Sequence, residues 1–332
     1  MTAYRDLLPV FVLTGYLGSG KTTLLNALLR DPALADAAVL INEFGDVGLD
    51  HELVENIDRE TVLLASGCVC CSIREDLKEA LLTLFARRER GEVPRFGRVL
   101  VETTGLADPA PIAATLMSDH QLRHHFRLAA IVATVDALCG PAQLDAHAET
   151  LRQVLAADRL VVTKSDLVAP EATAALCARL ARLNGAAEIL VAVSGDVAAD
   201  RILSADLQAD RYVEAGVTEL GPLVPVAEAP HAAGLHSFTL RFDAPLDWTA
   251  FGVWLTMLLH THGERVLRVK GLLNVIGVDT PVVVNGVQHV VHPPFHLPAW
   301  PGEDRRSRIV FIVRDLTRDQ IEGSLAVFNS LA

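Results

Sequence analysis

Gly15-Tyr16-Leu17-Gly18-Ser19-Gly20-Lys21-Thr22-Thr23 is the stretch whose reading decides the fold. The apolar run Pro9-Val10-Phe11-Val12-Leu13 precedes it and reads as a buried strand. Leu24-Leu25-Asn26-Ala27-Leu28-Leu29-Arg30 follows and reads as the first turns of a helix. A glycine loop between strand and helix is the setting of a phosphate-binding P-loop. Glycines let successive backbone N–H groups turn inward around a phosphate without Cβ clashes. The helix N-terminus adds its partial positive charge. Gly15, Gly18, Ser19, Gly20, Lys21, Thr22 and Thr23 are therefore candidate nucleotide-binding residues. Lys21 reaches for the β- and γ-phosphates, and the Thr22 hydroxyl for Mg²⁺.

Downstream, Ala37-Ala38-Val39-Leu40-Ile41 reads as a second buried strand and feeds Asn42-Glu43-Phe44-Gly45-Asp46-Val47-Gly48-Leu49-Asp50. Carboxylates and glycines just past a strand end suit a metal-facing, nucleotide-sensing segment, or equally an acidic surface loop. The next strand candidate, Glu60 to Ala65, runs into Ser66-Gly67-Cys68-Val69-Cys70-Cys71-Ser72-Ile73-Arg74. Thiolates are soft ligands that select zinc, copper(I) and similar ions. Cys68, Cys70 and Cys71 meet one ion if the backbone turns sharply, with a fourth ligand from Glu43, Asp46, a histidine, water or a partner. Buried small hydrophobes and a redox pair are the other readings of the cysteines.

Glu75 to Arg90 reads as an amphipathic helix and Arg98-Val99-Leu100-Val101 as a strand. That strand ends in Glu102-Thr103-Thr104-Gly105-Leu106-Ala107-Asp108-Pro109. An acidic residue at such a strand end supports Mg²⁺ in P-loop enzymes, and the Gly105 N–H is placed to sense a γ-phosphate. Glu102 as a helix-start carboxylate is the competing reading. Leu128 to Val135 is a further buried strand, and Arg123-His124-His125 before it reads as a solvated helix end. Leu160-Val161-Val162 leads into Thr163-Lys164-Ser165-Asp166. The Asp166 carboxylate can accept from N1–H and N2–H₂ of guanine, which adenine cannot offer. The Lys164 stem can lie over the base, and Thr163 stands where an asparagine is usual. A last strand, Glu188 to Val193, is followed by Ser194-Gly195, a base-contacting loop.

Strands alternating with helices imply an α/β fold with a mostly parallel sheet over residues 1–207. Residues 208–234, punctuated by Gly216, Gly221, Pro222, Pro225, Pro230 and Gly234, read as a linker. Residues 235–332 read as a small α+β domain with an antiparallel sheet. Its pattern is strand (Ser237 to Phe242), a helix capped by Asp247, strands at Val266 to Ile276, Val282 to Val291 and Arg308 to Val313, then a helix. Thr317 and Gln320 make a capping box for that last helix. His260, His262, His289, His292 and His296 are spaced poorly for a shared site, and Arg268 and Lys270 read as a solvated face or a partner patch.

Bulk composition narrows the function classes. The chain has 332 residues, 51% of them hydrophobic, and a formal net charge of −12. Such a balance argues against a nucleic-acid backbone as partner, which needs clustered lysine and arginine. Five cysteines, three within four positions, do not resemble a secreted disulfide framework, so a reducing cytoplasm is expected. No uncharged apolar run reaches the ~18 residues of a membrane helix.

Together the motifs resemble the CobW-like metal-chaperone GTPases, a family within the P-loop GTPases. The resemblance rests on Gly15–Thr23, Asn42-Glu43-Phe44-Gly45, Gly67-Cys68-Val69-Cys70-Cys71, Glu102 to Pro109, Thr163-Lys164-Ser165-Asp166 and the C-terminal Leu267-Arg268-Val269-Lys270-Gly271. It implies a GTPase that uses GTP/GDP and Mg²⁺. Lys21, Glu43 and Glu102 are the candidate catalytic residues, and slow basal turnover is expected because no glutamine or arginine finger stands out in the sequence for water activation. It also implies that Cys68, Cys70 and Cys71 bind Zn²⁺, with Co²⁺ as the other candidate ion, and pass it to a metal-requiring client protein. A client or a second copy of the chain would complete the site. Rival readings are a nucleotide-gated zinc buffer and a P-loop kinase acting on a small molecule.

Overall fold

The computed structural model describes residues 7–34, 36–41, 62–65, 73–193, 197, 199–203 and 234–331. They form two compact units, one reaching to Leu180 and resuming at Ala187, the other built mainly from the residues after 234. The expected segments Asn42–Asp50, with Glu43 and Asp46, and Ser66–Ser72, with Cys68, Cys70 and Cys71, lie outside the described residues. So do Ser194-Gly195 and all of the expected linker but Gly234.

Among the described residues of the first unit, seven strands form one sheet. They are β1 (Leu8–Gly15), β2 (Ala37–Ile41), β3 (Val62–Ala65), β4 (Arg98–Glu102), β5 (Phe126–Asp136), β6 (Arg159–Thr163) and β7 (Glu188–Val191). Their order is β3-β2-β4-β1-β5-β6-β7, and every pair is parallel. Parallel neighbours need long crossovers. Between the strands run α1 (Lys21–Leu29), α2 (Ile73–Glu89), α3 (Pro109–Ser118), α4 (Gly140–Ala146), α5 (Ala148–Ala156) and α6 (Pro170–Leu183), with α7 (Ala199–Leu203) after β7.

The central strand β1 is apolar on both faces because both are covered, and Val10, Phe11, Val12 and Leu13 are all buried. Phe11 and Leu13 share a core with Leu24, Leu25 and Leu28 of α1, Val39, Leu100, Val132 and Val161. This packing fixes α1 against the strand that precedes it and so shapes the loop between them. Parallel strands all finish at one edge. The loops after β4, β1, β5 and β6, four neighbours in the sheet, therefore converge there.

In the second unit, β8 (Leu235–Phe242), β9 (Val266–Leu273), β10 (Val282–Val287), β11 (Val290–Val291) and β13 (Ser307–Arg314) pair antiparallel in the order β11-β10-β9-β13-β8, and β12 (Phe295–His296) pairs with β10. Helices α8 (Trp248–His262) and α9 (Arg318–Leu331) cover one face. Trp254, Phe251, Leu258, Ile321 and Leu325 pack there against Phe238, Leu240, Val269, Ile309 and Phe311. The Trp254 indole N–H donates to Ser324 Oγ at 2.8 Å and ties the two helices together. Both expected caps form. Asp247 accepts from the Ala250 N–H at 2.8 Å, and Thr317 and Gln320 exchange side-chain-to-backbone bonds at 2.9 and 3.3 Å.

The structure departs from several expected elements, and the strand expected over Glu188 to Val193 ends at Val191. Val282 to Val291 is not one strand but two joined by a tight turn, with Gln288 at φ 51°. His289 therefore lies in the turn, where its Nδ1 faces the Leu259 carbonyl at 3.3 Å. The strand expected over Val266 to Ile276 ends at Leu273. Arg268 is buried, not part of a solvated face. His296 pairs with Thr280 and His292 is buried. Among the described residues, no three His, Cys, Asp or Glu side chains gather where they could hold a metal ion.

Candidate nucleotide site

The loop after β1 takes the conformation its glycines permit. Gly15 has φ 142°, and a Cβ there would collide with the Thr134 carbonyl and hydroxyl. Beneath the loop lies a set of buried hydroxyls. Ser19 Oγ and Thr134 Oγ1 are 2.6 Å apart, Thr163 Oγ1 donates to the Ser19 carbonyl at 2.7 Å, and Thr103 Oγ1 donates to Thr14 Oγ1 at 2.9 Å. The Ser19 side chain thus braces the loop from below. Thr163, which stands where an asparagine is usual, anchors the loop backbone through its hydroxyl.

Lys21 opens α1. Its ammonium donates to the Gly15 carbonyl at 2.9 Å and the Tyr16 carbonyl at 3.2 Å, so the charge is held across the loop. One residue on, the Thr22 hydroxyl donates to Glu102 Oε1 at 2.9 Å. Glu102 ends β4 and is buried, and register places it beside Leu13 of β1. The helix-start reading falls to Asp108 instead, whose carboxylate accepts from the Ala110 N–H at 2.9 Å and caps α3. Thr23 is exposed on the first turn of α1.

Gly105 lies against the glycine loop. A Cβ on it would stand 2.7 Å from the Leu17 backbone nitrogen and 2.8 Å from the Leu17 Cα. The loop after β1 and the loop after β4 therefore touch through a position where a side chain does not fit. Tyr16, in the same loop, stacks on His147 with ring centroids 4.5 Å apart.

Lys164 adopts the left-handed region, φ 55°, at the end of β6. This turn sends its ammonium to the Gly18 carbonyl at 2.7 Å and to Asp136 Oδ2 at 2.7 Å. Asp136 ends β5 and escaped the motif reading. It is 2% exposed, and its other oxygen accepts from the N–H groups of Leu138 and Cys139 at 2.7 and 3.2 Å. Burial by itself would raise the Asp136 carboxyl. The Lys164 hydrogen bond, the two backbone donors and the lysine charge outweigh that and hold it below the usual aspartate range. Asp166 stands exposed on the short helical turn Ser165–Leu167, open to a ligand.

A parallel sheet whose central strand delivers a P-loop, beside a strand ending in a carboxylate bonded to the P-loop threonine, defines a P-loop nucleotide-binding protein. The family pattern described as the CobW/HypB/UreG nucleotide-binding domain matches residues 9–191, and that of the cobalamin synthesis protein cobW C-terminal domain matches residues 235–329. The chain belongs to the CobW family. It is 32% identical over 317 residues to the zinc chaperone YjiA of Escherichia coli strain K12, covering 96% of this chain and 97% of that one. It is 34% identical over 197 residues to zinc-regulated GTPase metalloprotein activator 1 of Schizosaccharomyces pombe, covering 57% and 47%. The crystal structure of zinc(II)-bound YjiA GTPase superposes with a TM-score of 0.73 at 26% identity, covering 97% of this chain and 99% of that one.

Proposed function

We propose that this chain is a GTP-hydrolysing metallochaperone that carries zinc on Cys68, Cys70 and Cys71 and delivers it to a client protein. The names of its relatives, a zinc chaperone and a zinc-regulated GTPase activator, support that reading. The observation that carries the hydrolytic part is the 2.9 Å bond between Thr22 and Glu102. Two hard oxygen donors, one on the P-loop and one on the neighbouring strand end, suit Mg²⁺ better than a soft ion. Thr22 and Glu102 would hold that ion, which supplies charge neutralisation on the phosphates when bound.

The chain's own groups do the rest. Lys21 binds the β- and γ-phosphate oxygens in exchange for the Gly15 and Tyr16 carbonyls. The Gly105 amide meets the γ-phosphate. Asp166 reads the guanine edge, while Lys164 ties the base-reading turn to Gly18. Glu43, with Asp46, would join the site from the segment after β2. Zinc is the cargo, so its affinity has to depend on which nucleotide is bound.

Phosphate release from GTP by the purified chain tests this reading, with zinc content measured in parallel. Turnover abolished by Lys21→Ala, and bound zinc lost from a Cys70→Ser, Cys71→Ser variant, are the expected results. Phosphoryl transfer to an added small acceptor, or GTP binding with no turnover, would replace it with the kinase or the buffer reading.

A further inference from the structure

Gln153 lies on α5, between the buried Leu151 and Val154 and Leu155, and is itself 1% exposed. A glutamine on the apolar side of a helix is costly to bury unless its amide is used. Here Nε2 donates to the carbonyls of Gly105 and of Ala107, both at 3.1 Å. Its Oε1 is also buried and has no hydrogen-bond partner among the described residues. Both protein partners are acceptors, so the amide can face them in only one orientation. One side chain from a helix therefore grips the loop after Glu102 at two points two residues apart.

Gly105 has no side chain of its own to hold it in place. It packs directly on the Leu17 backbone, so its course decides how this loop meets the P-loop. The same helix begins just after His147, whose ring stacks on Tyr16 of the P-loop. Both phosphate-facing loops are thus referred to α5, one through an aromatic stack and the other through an amide.

We propose that Gln153 is a positioning residue for triphosphate recognition: it fixes the Gly105–Ala107 backbone so that the loop is ordered before the γ-phosphate arrives. This rests on the reading above, in which Gly105 meets that phosphate. A loop ordered in advance loses less freedom on binding than one ordered by the ligand. GDP lacks the γ-phosphate and does not use that order. Removing the amide therefore weakens GTP and leaves GDP nearly untouched. A residue that merely fills the core would weaken both alike.

Affinities of the full chain for fluorescent GDP and for a fluorescent non-hydrolysable GTP analogue, with Mg²⁺ present, test the proposal. Gln153→Met keeps the length and removes the donor, and Gln153→Glu keeps the shape and offers only acceptors. Either variant is expected to lose about tenfold in affinity for the analogue, with GDP affinity changed less than twofold. Hydrogen exchange on the wild-type chain is an independent arm. The Gly105 and Ala107 amides should already exchange slowly with GDP bound, and the Gln153→Met change should speed their exchange in that state more than with the analogue bound. Equal exchange in wild type and variant with GDP bound would count against the proposal. An unchanged ratio of analogue to GDP affinity in both variants would overturn the role of Gln153 alone. A wild-type chain that binds neither nucleotide would overturn the GTPase reading and the proposal with it.

Discussion

The Lys164 ammonium lies 2.7 Å from the buried carboxylate of Asp136, and the same ammonium reaches the Gly18 carbonyl at 2.7 Å. The end of strand β5 thereby holds the lysine that follows β6, and the lysine holds the P-loop. Hydrogen bonds to charged groups contribute about 1.5–3 kcal/mol, and the partner left behind in a buried site adds to the loss. Asp136→Asn is expected to lower unfolding free energy by about that amount and to weaken nucleotide binding by roughly tenfold. Denaturant titration and nucleotide affinity, measured on the same preparation, check both.

The same pair gives a pH dependence with a definite sign. The folded carboxyl of Asp136 is held below its unfolded value, so its contribution is complete above the unfolded aspartate range. It is lost as pH falls through that range, about 3.9, toward the lowered folded value. The stability gap between the wild type and Asp136→Asn should be full at pH 7 and narrower at pH 3. Denaturation of both proteins at the two pH values measures it, and a gap that widens in acid would be the wrong sign.

Glu102→Gln keeps the size of the side chain and most of its bond to Thr22 but removes the charge. If the pair holds Mg²⁺, turnover should fall by about 100-fold, the scale of losing several kcal/mol of charge stabilisation. Rates measured across a range of Mg²⁺ concentration should show a raised requirement for the ion, which a simple packing defect would not produce.

Gly105→Ala tests the contact between the loops. The added Cβ would stand 2.7 Å from the Leu17 nitrogen, and backbone cannot swing aside as a flexible side chain can. Overpacking of this kind costs about 1–3 kcal/mol. The expected outcome is a lower melting temperature together with loss of preference for a GTP analogue over GDP.

Much of this could be read from the chain because the chemistry lies at strand ends. The apolar run before Gly15 predicts a strand, and the glycines and Lys21 then have one common use. Glu102 is legible for the same reason, as a carboxylate closing the buried run Val99 to Val101. Asp136 closes a buried run in the same way, but no short motif surrounds it, and the strand was expected to stop at Val135. A carboxylate at the end of a mostly apolar strand is the available signal. Gln153 was hidden differently. It is one polar residue inside the buried stripe of a helix, and only the fold shows which carbonyls it meets. The β10–β11 hairpin escaped because Gln288-His289 is not a usual turn pair, and flanking valines carry the apolar run straight across it.

Zinc titration with and without a GTP analogue bound tests the central claim most directly, because it asks whether metal and nucleotide act on each other. The account expects zinc affinity to differ between the GDP and analogue states by roughly 5- to 150-fold, the usual span of coupling between sites. Zinc should shift nucleotide affinity by the same factor, and Cys70→Ser with Cys71→Ser should abolish both effects. Equal zinc affinity in the two nucleotide states, or binding that survives loss of those cysteines, would contradict it.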